Sequence, residues 1–349
     1  MENISMNISD DYKKMKKDDS PYEMNVLLEF IGKDVLEPTF SCAGVVLNVL
    51  VFCIWMFGPK SRSLCCATYF TANTVADFLL LMIVPIILER GIIHIHWRKT
   101  NFTCKLFWSL YYSSIQVSTW LSATITVERA LTIISPLVFR SQDMSRRSKY
   151  IIAMIVIMQP LTQSFNLMYQ TSKTDSYRKL TNCDYNSTDE QHIAESMHMC
   201  LAIAIPFLVI ITFNVATITA LCRNRFRQHT VSGNHDHVLV FTKITIMTGV
   251  SFVMAYSLEL CICIYLIFEL HWYITSSYLH YAMFSLGPAM VYFNSCMNPI
   301  ICLVVCRSMH DDIKSFLVAV IQRVRRPCAS RCWQQESETA NTIQIALTV

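Results

Sequence analysis

Seven stretches of this chain stay apolar over helical lengths, and a few polar positions recur inside them. The stretches fall at approximately 37–57, 66–90, 104–135, 149–170, 196–222, 239–268 and 276–305. About 20 apolar residues in a helix cross the hydrocarbon core of a bilayer, so each stretch predicts a membrane-spanning helix. The third and sixth run longer than a crossing requires, which tilt or protrusion accommodates. Inside lipid every polar group needs a partner from the protein itself, so the polar residues left in these runs carry most of the information.

The seventh run contains Phe293-Asn294-Ser295-Cys296-Met297-Asn298-Pro299. Asn294, Ser295 and Asn298 are spaced to share one side of a helix, beside a proline that removes a backbone donor. They either heal the kink or face a shared polar pocket. The first run holds Asn48 and the second holds Asp77, with Pro85 two turns later. A carboxylate at that depth costs about 2.5–3.5 kcal/mol on insertion scales, so Asp77 must pair, bind a cation or be protonated. Asn48, Ser118 in the third run, Asn294, Ser295 and Asn298 are its candidate partners. Glu259 in the sixth run is a second intramembrane acid. It either favours a cationic ligand group or pairs with a neighbour or water.

Composition agrees with a membrane protein. Of 349 residues, 53% are hydrophobic and 15% charged, against about 25% charged in soluble domains, and the mean hydropathy is +0.37. A net charge of +4 gives no basic surface for nucleic acid. Most of the 15 cysteines sit in apolar runs, where a thiol acts as a small hydrophobe, and none repeats at zinc spacing.

Orientation rests on two patterns. With the N-terminus outside, Lys60, Arg62, Arg140, Arg146, Arg147, Lys149, Arg223, Arg225, Arg227 and Lys243 fall inside, against Arg98, Lys99, Lys173, Arg178 and Lys179 outside. The glycosylation sequons at Asn3, Asn7, Asn101 and Asn186 then all fall outside. Residues 1–36 are polar and lysine-rich with no apolar signal core, so they read as a solvated tail, and the first run is expected to act as its own insertion signal.

Asn48, Asp77 and the Asn294-to-Pro299 motif together resemble the rhodopsin-like (class A) G-protein-coupled receptors, in a divergent, peptide-receptor-like form, over roughly residues 37–325. The resemblance implies a sodium pocket (Na+ held through Asp77 with Asn48, Ser118, Asn294, Ser295 and Asn298) that stabilises the resting state. Oxygen ligands suit a small hard cation. Cys104 at the head of the third run and Cys183 in the fourth loop both lie outside, in an oxidising compartment, and are expected to form the family's disulfide. Glu128-Arg129, 25 residues after Cys104, matches the coupling motif, with Glu128 expected to hold Arg129 at rest.

Other positions depart from the family pattern. Ala130 replaces the motif's tyrosine, Tyr256-Ser257-Leu258 replaces Trp-x-Pro, Asn214 and Cys302 replace two further tyrosines, and the fourth run has no tryptophan. Tyr111 stands where amine receptors carry an aspartate and Tyr292 where opsins carry a lysine, so aminergic and retinal chemistry are both disfavoured. What remains is an aromatic and polar wall, Trp108, Tyr111, Tyr112, Gln116, Tyr256, Tyr265, Tyr281 and Tyr292, which with Glu259 suits a peptide, although such stripes also serve packing. Glu89 and Arg90 could add polar contacts.

After the seventh run, Ile313, Phe316, Leu317, Val320, Ile321 and Val324 line one face of an interfacial amphipathic helix. Cys328 and Cys332 beyond it are either palmitoylation sites or free cytosolic thiols.

The expected architecture is therefore an all-α membrane protein: a seven-transmembrane helix bundle with the N-terminus outside and an amphipathic eighth helix. Residues 1–36 form an extracellular glycosylated tail, 37–305 the bundle, 306–326 the interfacial helix and 327–349 a cytoplasmic tail. The expected function is that of a plasma-membrane receptor for a neuropeptide or peptide hormone, signalling through heterotrimeric G proteins, with arrestin and membrane lipid as further partners. No required cofactor and no enzymatic motif is visible. The departures at Ala130, Asn214, Tyr256, Leu258 and Cys302 motivate an alternative, an uncoupled scavenger or arrestin-biased receptor of the same fold. A channel or transporter would call for inverted repeats and paired broken helices, which are missing.

Overall fold

The structure is a computed structural model, and it describes residues 27–62, 67–87, 100–135, 144–174, 181–185, 187–225, 235–267, 278–316 and 318. Among these, seven long helices form the bundle: α1 (Glu37–Phe57), α2 (Ala67–Ile87), α3 (Asn101–Ile134), α4 (Met144–Thr162), α5 (Ile205–Arg225), α6 (His235–Ile267) and α7 (Tyr278–Val305). A further helix, α8, occupies 307–316. It begins one residue after the expected boundary at 306, and most of the expected apolar face, together with Cys328 and Cys332, lies outside the described residues.

Local chemistry sets the ends. Thr100 caps α3, its hydroxyl accepting from the Thr103 backbone N–H at 3.2 Å. The same helix stops at Ser135, because Pro136 disfavours helical geometry in the residue before it. Gly58 and Pro59 close α1. Two π-helical segments, Phe30–Leu36 and Met199–Ala204, end just ahead of Pro38 and Pro206. A widened turn there absorbs the donor that each proline lacks.

Helix α3 is central. It packs on α2, α4, α5 and α6, while the outer ring closes through α1–α2, α5–α6, α6–α7 and α7–α1. Among the described residues five helical segments are long and apolar enough to cross a membrane, and α2 adds a shorter apolar stretch, Ala67–Ile83. Helix α3 is more polar because neighbours, not lipid, cover Ser109, Ser114, Gln116, Ser118 and Thr119. Large apolar side chains such as Val46, Leu79, Met154, Leu208 and Val250 face outward instead, as a hydrocarbon surround permits.

The buried apolar residues fall into two clusters. One gathers Leu80, Leu81, Tyr111, Ile115, Phe207, Phe252, Tyr256 and Tyr292, and the other Trp55, Tyr69, Phe70, Leu121, Ile125, Phe241, Ile244 and Ile301.

Two features correct the sequence reading. The first helical path starts at Leu27, not near residue 37. Residues 27–36 hold Leu27, Leu28, Phe30, Ile31 and Val35, and Lys33 pairs with Glu29 one turn back at 2.8 Å, so this part of the tail is ordered helix. The all-α expectation also omitted an antiparallel hairpin, β1 (Gln170–Thr174) with β2 (Thr181–Tyr185), which pairs Ser172 with Cys183.

Gly44 lets α1, α2 and α7 approach closely. A Cβ there would lie 2.6 Å from both Cys296 Sγ and Leu81 Cδ1. Gly44→Val is expected to lower the unfolding midpoint of the purified protein by several degrees, reflecting about 1–3 kcal/mol of overpacking. Ala43→Val, on the outward face, should leave it unchanged.

Candidate ligand and ion site

Pro299 sets the geometry of the polar layer. Its missing N–H frees the carbonyl one turn back, at Ser295, and Asn48 Nδ2 of α1 donates to that oxygen at 3.1 Å while also reaching Gly44 O at 2.9 Å. With the kink satisfied from α1, Asn298 is released to donate to Asp77 Oδ2 at 2.9 Å. Ser118 of α3 donates to Asp77 Oδ1 at 2.6 Å, and Asn73, one turn back on α2, donates to Oδ2 at 2.8 Å. Asp77 is wholly buried, so α2, α3 and α7 meet on one carboxylate. The freed carbonyl is thus met from α1 by Asn48 and not by the seventh run's own amides, while Asn298 faces the shared polar layer at Asp77. Asn73 was not anticipated, although its place one turn from Asp77 was a usable signal.

Around that carboxylate, Asn48 Oδ1, Asn73 Oδ1, Asn294 Oδ1 and Ser295 Oγ are buried without a hydrogen-bond donor. The Ser295 hydroxyl lies within reach of the Asp77 carboxylate. A carboxylate beside unsatisfied neutral oxygens fits a small hard cation. Among the described residues no cluster of three or more His, Cys, Asp or Glu side chains exists, which leaves no site of the transition-metal kind.

Nearer the hairpin, Tyr292 OH of α7 lies 3.2 Å from Tyr111 OH of α3. Trp108 stacks on Tyr112, and Tyr112 meets the His198 ring at 4.3 Å. Tyr256 is completely buried, stacked on Phe252 at 4.3 Å. Glu259 is 7% exposed and has no hydrogen-bond or ion-pair partner among the described residues. Glu37, at the head of α1, is also 7% exposed, and both acids lie within electrostatic reach of the Tyr111–Tyr292 pair. The sequence reading missed Glu37, because it sits where the first apolar run begins and was counted as boundary. Tyr281 belongs to α7, but its side chain, like that of Tyr265, lies outside the described residues, as do Glu89 and Arg90.

Gln116 faces a different neighbour. Its Oε1 accepts from Thr162 Oγ1 at 3.0 Å and from Gln163 Nε2 at 3.1 Å on the α4 side. Gln163 Oε1 in turn accepts from Asn166 Nδ2 at 2.7 Å, and Asn166 Oδ1 accepts from Tyr185 OH at 2.6 Å. This buried polar chain runs from β2 into the α3–α4 interface. The hairpin is also tied to the head of α3 by the Cys104–Cys183 disulfide, with Cα atoms 5.8 Å apart, and by Ser172 N–H donating to Asn101 Oδ1 at 2.7 Å. Asn101 is exposed, while Asn3, Asn7 and Asn186 lie outside the described residues.

At the opposite end, Glu128 Oε1 accepts from Tyr69 OH at 3.0 Å and pairs with Arg147 of α4 at 3.2 Å. The expectation assigned Glu128 to its neighbour Arg129. The Arg129 guanidinium lies 5.4 Å from the Phe241 ring centre of α6. Ala130 is fully buried, so this position has no room for the tyrosine that the resemblance implied. Helix α8 docks on the first inter-helix turn, Pro59–Arg62: Asp312 Oδ2 accepts from Ser61 N–H at 2.8 Å and Ser61 Oγ at 2.7 Å. Asp311 pairs with Lys60 at 2.8 Å, and that hydrogen bond holds the Asp311 carboxyl below the usual carboxylate range.

Seven helices around a buried carboxylate, with a disulfide-tethered hairpin at one end, define a seven-transmembrane receptor architecture. Residues 47–301 match the family described as 7 transmembrane receptor (rhodopsin family), and the chain belongs to that family. It is therefore a multi-pass plasma-membrane receptor and not an enzyme. Its relatives include Free fatty acid receptor 2 of Mus musculus, 24% identical over 63% of this chain and 68% of the relative. Chemerin-like receptor 1 of Rattus norvegicus is 24% identical over 80% of this chain and 76% of the relative. Proteinase-activated receptor 3 of Homo sapiens is 22% identical over 77% and 70%.

Asn166→Ala cuts the polar chain at its middle, removing the acceptor of the Tyr185 hydroxyl proton and the Asn166 donor to Gln163 Oε1, while Gln170 Nε2 still donates to the Tyr185 hydroxyl at 3.3 Å. The expected cost is about 1–3 kcal/mol, the usual penalty for a buried unsatisfied group. It should appear as a lower thermal-unfolding midpoint, whereas Ser164→Ala, whose hydroxyl bonds only to its own helix at Leu161 O, should cost little.

Proposed function

We propose that this receptor binds an extracellular peptide, of the neuropeptide or peptide-hormone kind, through a cationic group, and signals through heterotrimeric G proteins. The observation that carries this reading is Glu259, a buried carboxylate with no partner among the described residues, beside the paired tyrosines. An unpaired intramembrane acid is costly unless function supplies its counter-charge, and an arginine, lysine or terminal amine does so. The relatives' names divide between a fatty acid, chemerin and a proteinase, so they leave the ligand class open. A carboxylate ligand beside the paired tyrosines would meet Glu37 and Glu259 as like charges.

On this reading the hairpin end is extracellular, and the Glu128–Arg129 end meets the G protein and then arrestin. Ligand shifts the population towards an open inner face. Na+ at Asp77 opposes it: Asp77, Ser118 and the unsatisfied oxygens of Asn48, Asn294 and Ser295 would hold the ion, which supplies a positive charge that favours the closed packing of α2, α3 and α7.

The test is nucleotide exchange on a panel of G proteins in membranes bearing the chain, challenged with a peptide library, with Arg129→Ala as the coupling control. Ligand-dependent exchange that disappears in Arg129→Ala is the expected result. Binding without exchange on any G protein would favour the uncoupled alternative. Glu259→Gln should raise the half-maximal concentration of an activating cationic peptide about 30-fold or more, since losing one partner of a buried charge pair costs about 2–5 kcal/mol. Equal potency in the variant would remove Glu259 from the ligand site. Replacing K+ by Na+ at constant ionic strength should lower exchange in the parent protein and have no effect in Asp77→Asn.

A further inference from the structure

A crevice of about 630 Å³ opens between α2, α3 and α4 on the outer surface of the bundle, lined by Ala76 and Leu79, Ser113 and Val117, and Val156 and Gln159. Its lining includes neither the Tyr111–Tyr292 pair nor Asp77. Its walls are almost wholly apolar, as a surface in contact with acyl chains requires. The polar side chains in its lining are Ser109, Ser113, Ser114, Gln159 and Gln163, and Gln159 is the amide whose oxygen is left without a donor. Gln159 is 7% exposed, its Nε2 donates to Ile155 O at 3.0 Å, and its Oε1 is buried with no donor.

Depth decides what can supply that donor. Gln159 lies 13 residues into the candidate span Arg146–Tyr169, about 20 Å from its start at 1.5 Å per residue, and so well inside hydrocarbon. Water is scarce there and an unsatisfied amide oxygen is costly. The donor must arrive through the bilayer, on a molecule that is apolar on both sides of its hydroxyl. At the hairpin-side mouth, Lys105 of α3 adjoins the lining residue Leu106 and donates to Met168 O beside the lining residue Leu167. One of its three ammonium protons is used in that bond, which leaves donors and a positive charge for an anionic head. Met168 and Gln159 are nine residues apart, about 14 Å along a helix, which suits a head at the interface and a hydroxyl part-way down an acyl chain.

We propose that this crevice binds a chain-hydroxylated fatty acid from the surrounding bilayer, its carboxylate against Lys105 and its mid-chain hydroxyl donating to Gln159 Oε1. The apolar tail beyond the hydroxyl follows Leu79, Val117 and Val156. Gln159 also borders a smaller hollow of about 310 Å³ with Trp120 and Met158, so the test must separate the two. Leu79 lines only the larger one.

The experiment measures binding of radiolabelled stearic acid with and without a mid-chain hydroxyl, and of the hydroxy acid's methyl ester, to purified full-length protein in lipid nanodiscs. The parent protein should prefer the hydroxylated acid over the plain acid by about twofold to tenfold, the range of one net hydrogen bond. Gln159→Leu should erase that preference with little change in the unfolding midpoint, because the deleted oxygen has no partner in the fold and the deleted Nε2 bonds only to its own helix at Ile155 O. Lys105→Gln should erase the preference for the acid over its ester, and Leu79→Trp should block both ligands. A parent protein that binds the hydroxylated and plain acids equally holds annular lipid only, and the assignment fails. A preference that survives Gln159→Leu, or binding untouched by Leu79→Trp, overturns it equally.

Discussion

The interaction on which this bundle depends is the three-way hydrogen bonding of Asp77. A carboxylate in hydrocarbon must be surrounded by donors from its own protein, and here they come from Asn73 on α2, Ser118 on α3 and Asn298 on α7. Each donor fixes the rotation of the helix that carries it. The layer also depends on Asn48, which satisfies the Ser295 carbonyl exposed by Pro299 and so frees Asn298 to turn towards the acid. Rotating α7 out of this position would break bonds to α1 and α2 together, which is the property of a two-state element.

The apolar clusters on either side behave differently. Packing between apolar side chains resists changes of volume but tolerates small sliding, whereas hydrogen bonds in a dry layer are directional. Tyr256 joins the two kinds of contact. Its ring stacks on Phe252, its hydroxyl is buried without a partner, and it lies within electrostatic reach of Asp77, Glu259 and Tyr111. The site that the resemblance marks as a departure, a tyrosine where tryptophan is usual, thus stands within reach of both buried acids, Glu259 and Asp77. A hydroxyl there can take a hydrogen-bond partner from either side, which an indole facing the same way cannot do in both roles.

Sequence revealed what hydrocarbon makes expensive. Seven apolar runs, Asp77, Asn48 and the Asn294-to-Pro299 stripe all stood out because few polar residues occur in such runs, and the structure brings Asp77, Ser118 and Asn298 into contact. Pairings between polar residues were much less legible. Gln116 belonged to an aromatic stripe in one dimension, yet it turns to Gln163, because a helix presents neighbouring residues to different faces. Glu128 was read only with the adjacent arginine, and the contact with Arg147, 19 residues on, which reaches it across the α3–α4 interface, went unseen. The hairpin was invisible for a related reason: Gln170–Thr174 and Thr181–Tyr185 show little apolar alternation, so no period-two signal exists to find.

The hairpin and the α3–α4 interface are joined by one continuous path. Tyr185 bonds Asn166, Asn166 bonds Gln163, and Gln163 bonds Gln116 on α3, while the Cys104–Cys183 disulfide ties the same hairpin to the head of that helix. A movement of the hairpin therefore acts on α3 at two heights, at the disulfide and about three turns further along, at Gln116. Ser118, which holds Asp77, is two residues beyond Gln116 on the same helix. Rotation of α3 about its axis is thus coupled to the carboxylate at the centre, and no separate linking element is needed between the hairpin end and the Asp77 layer.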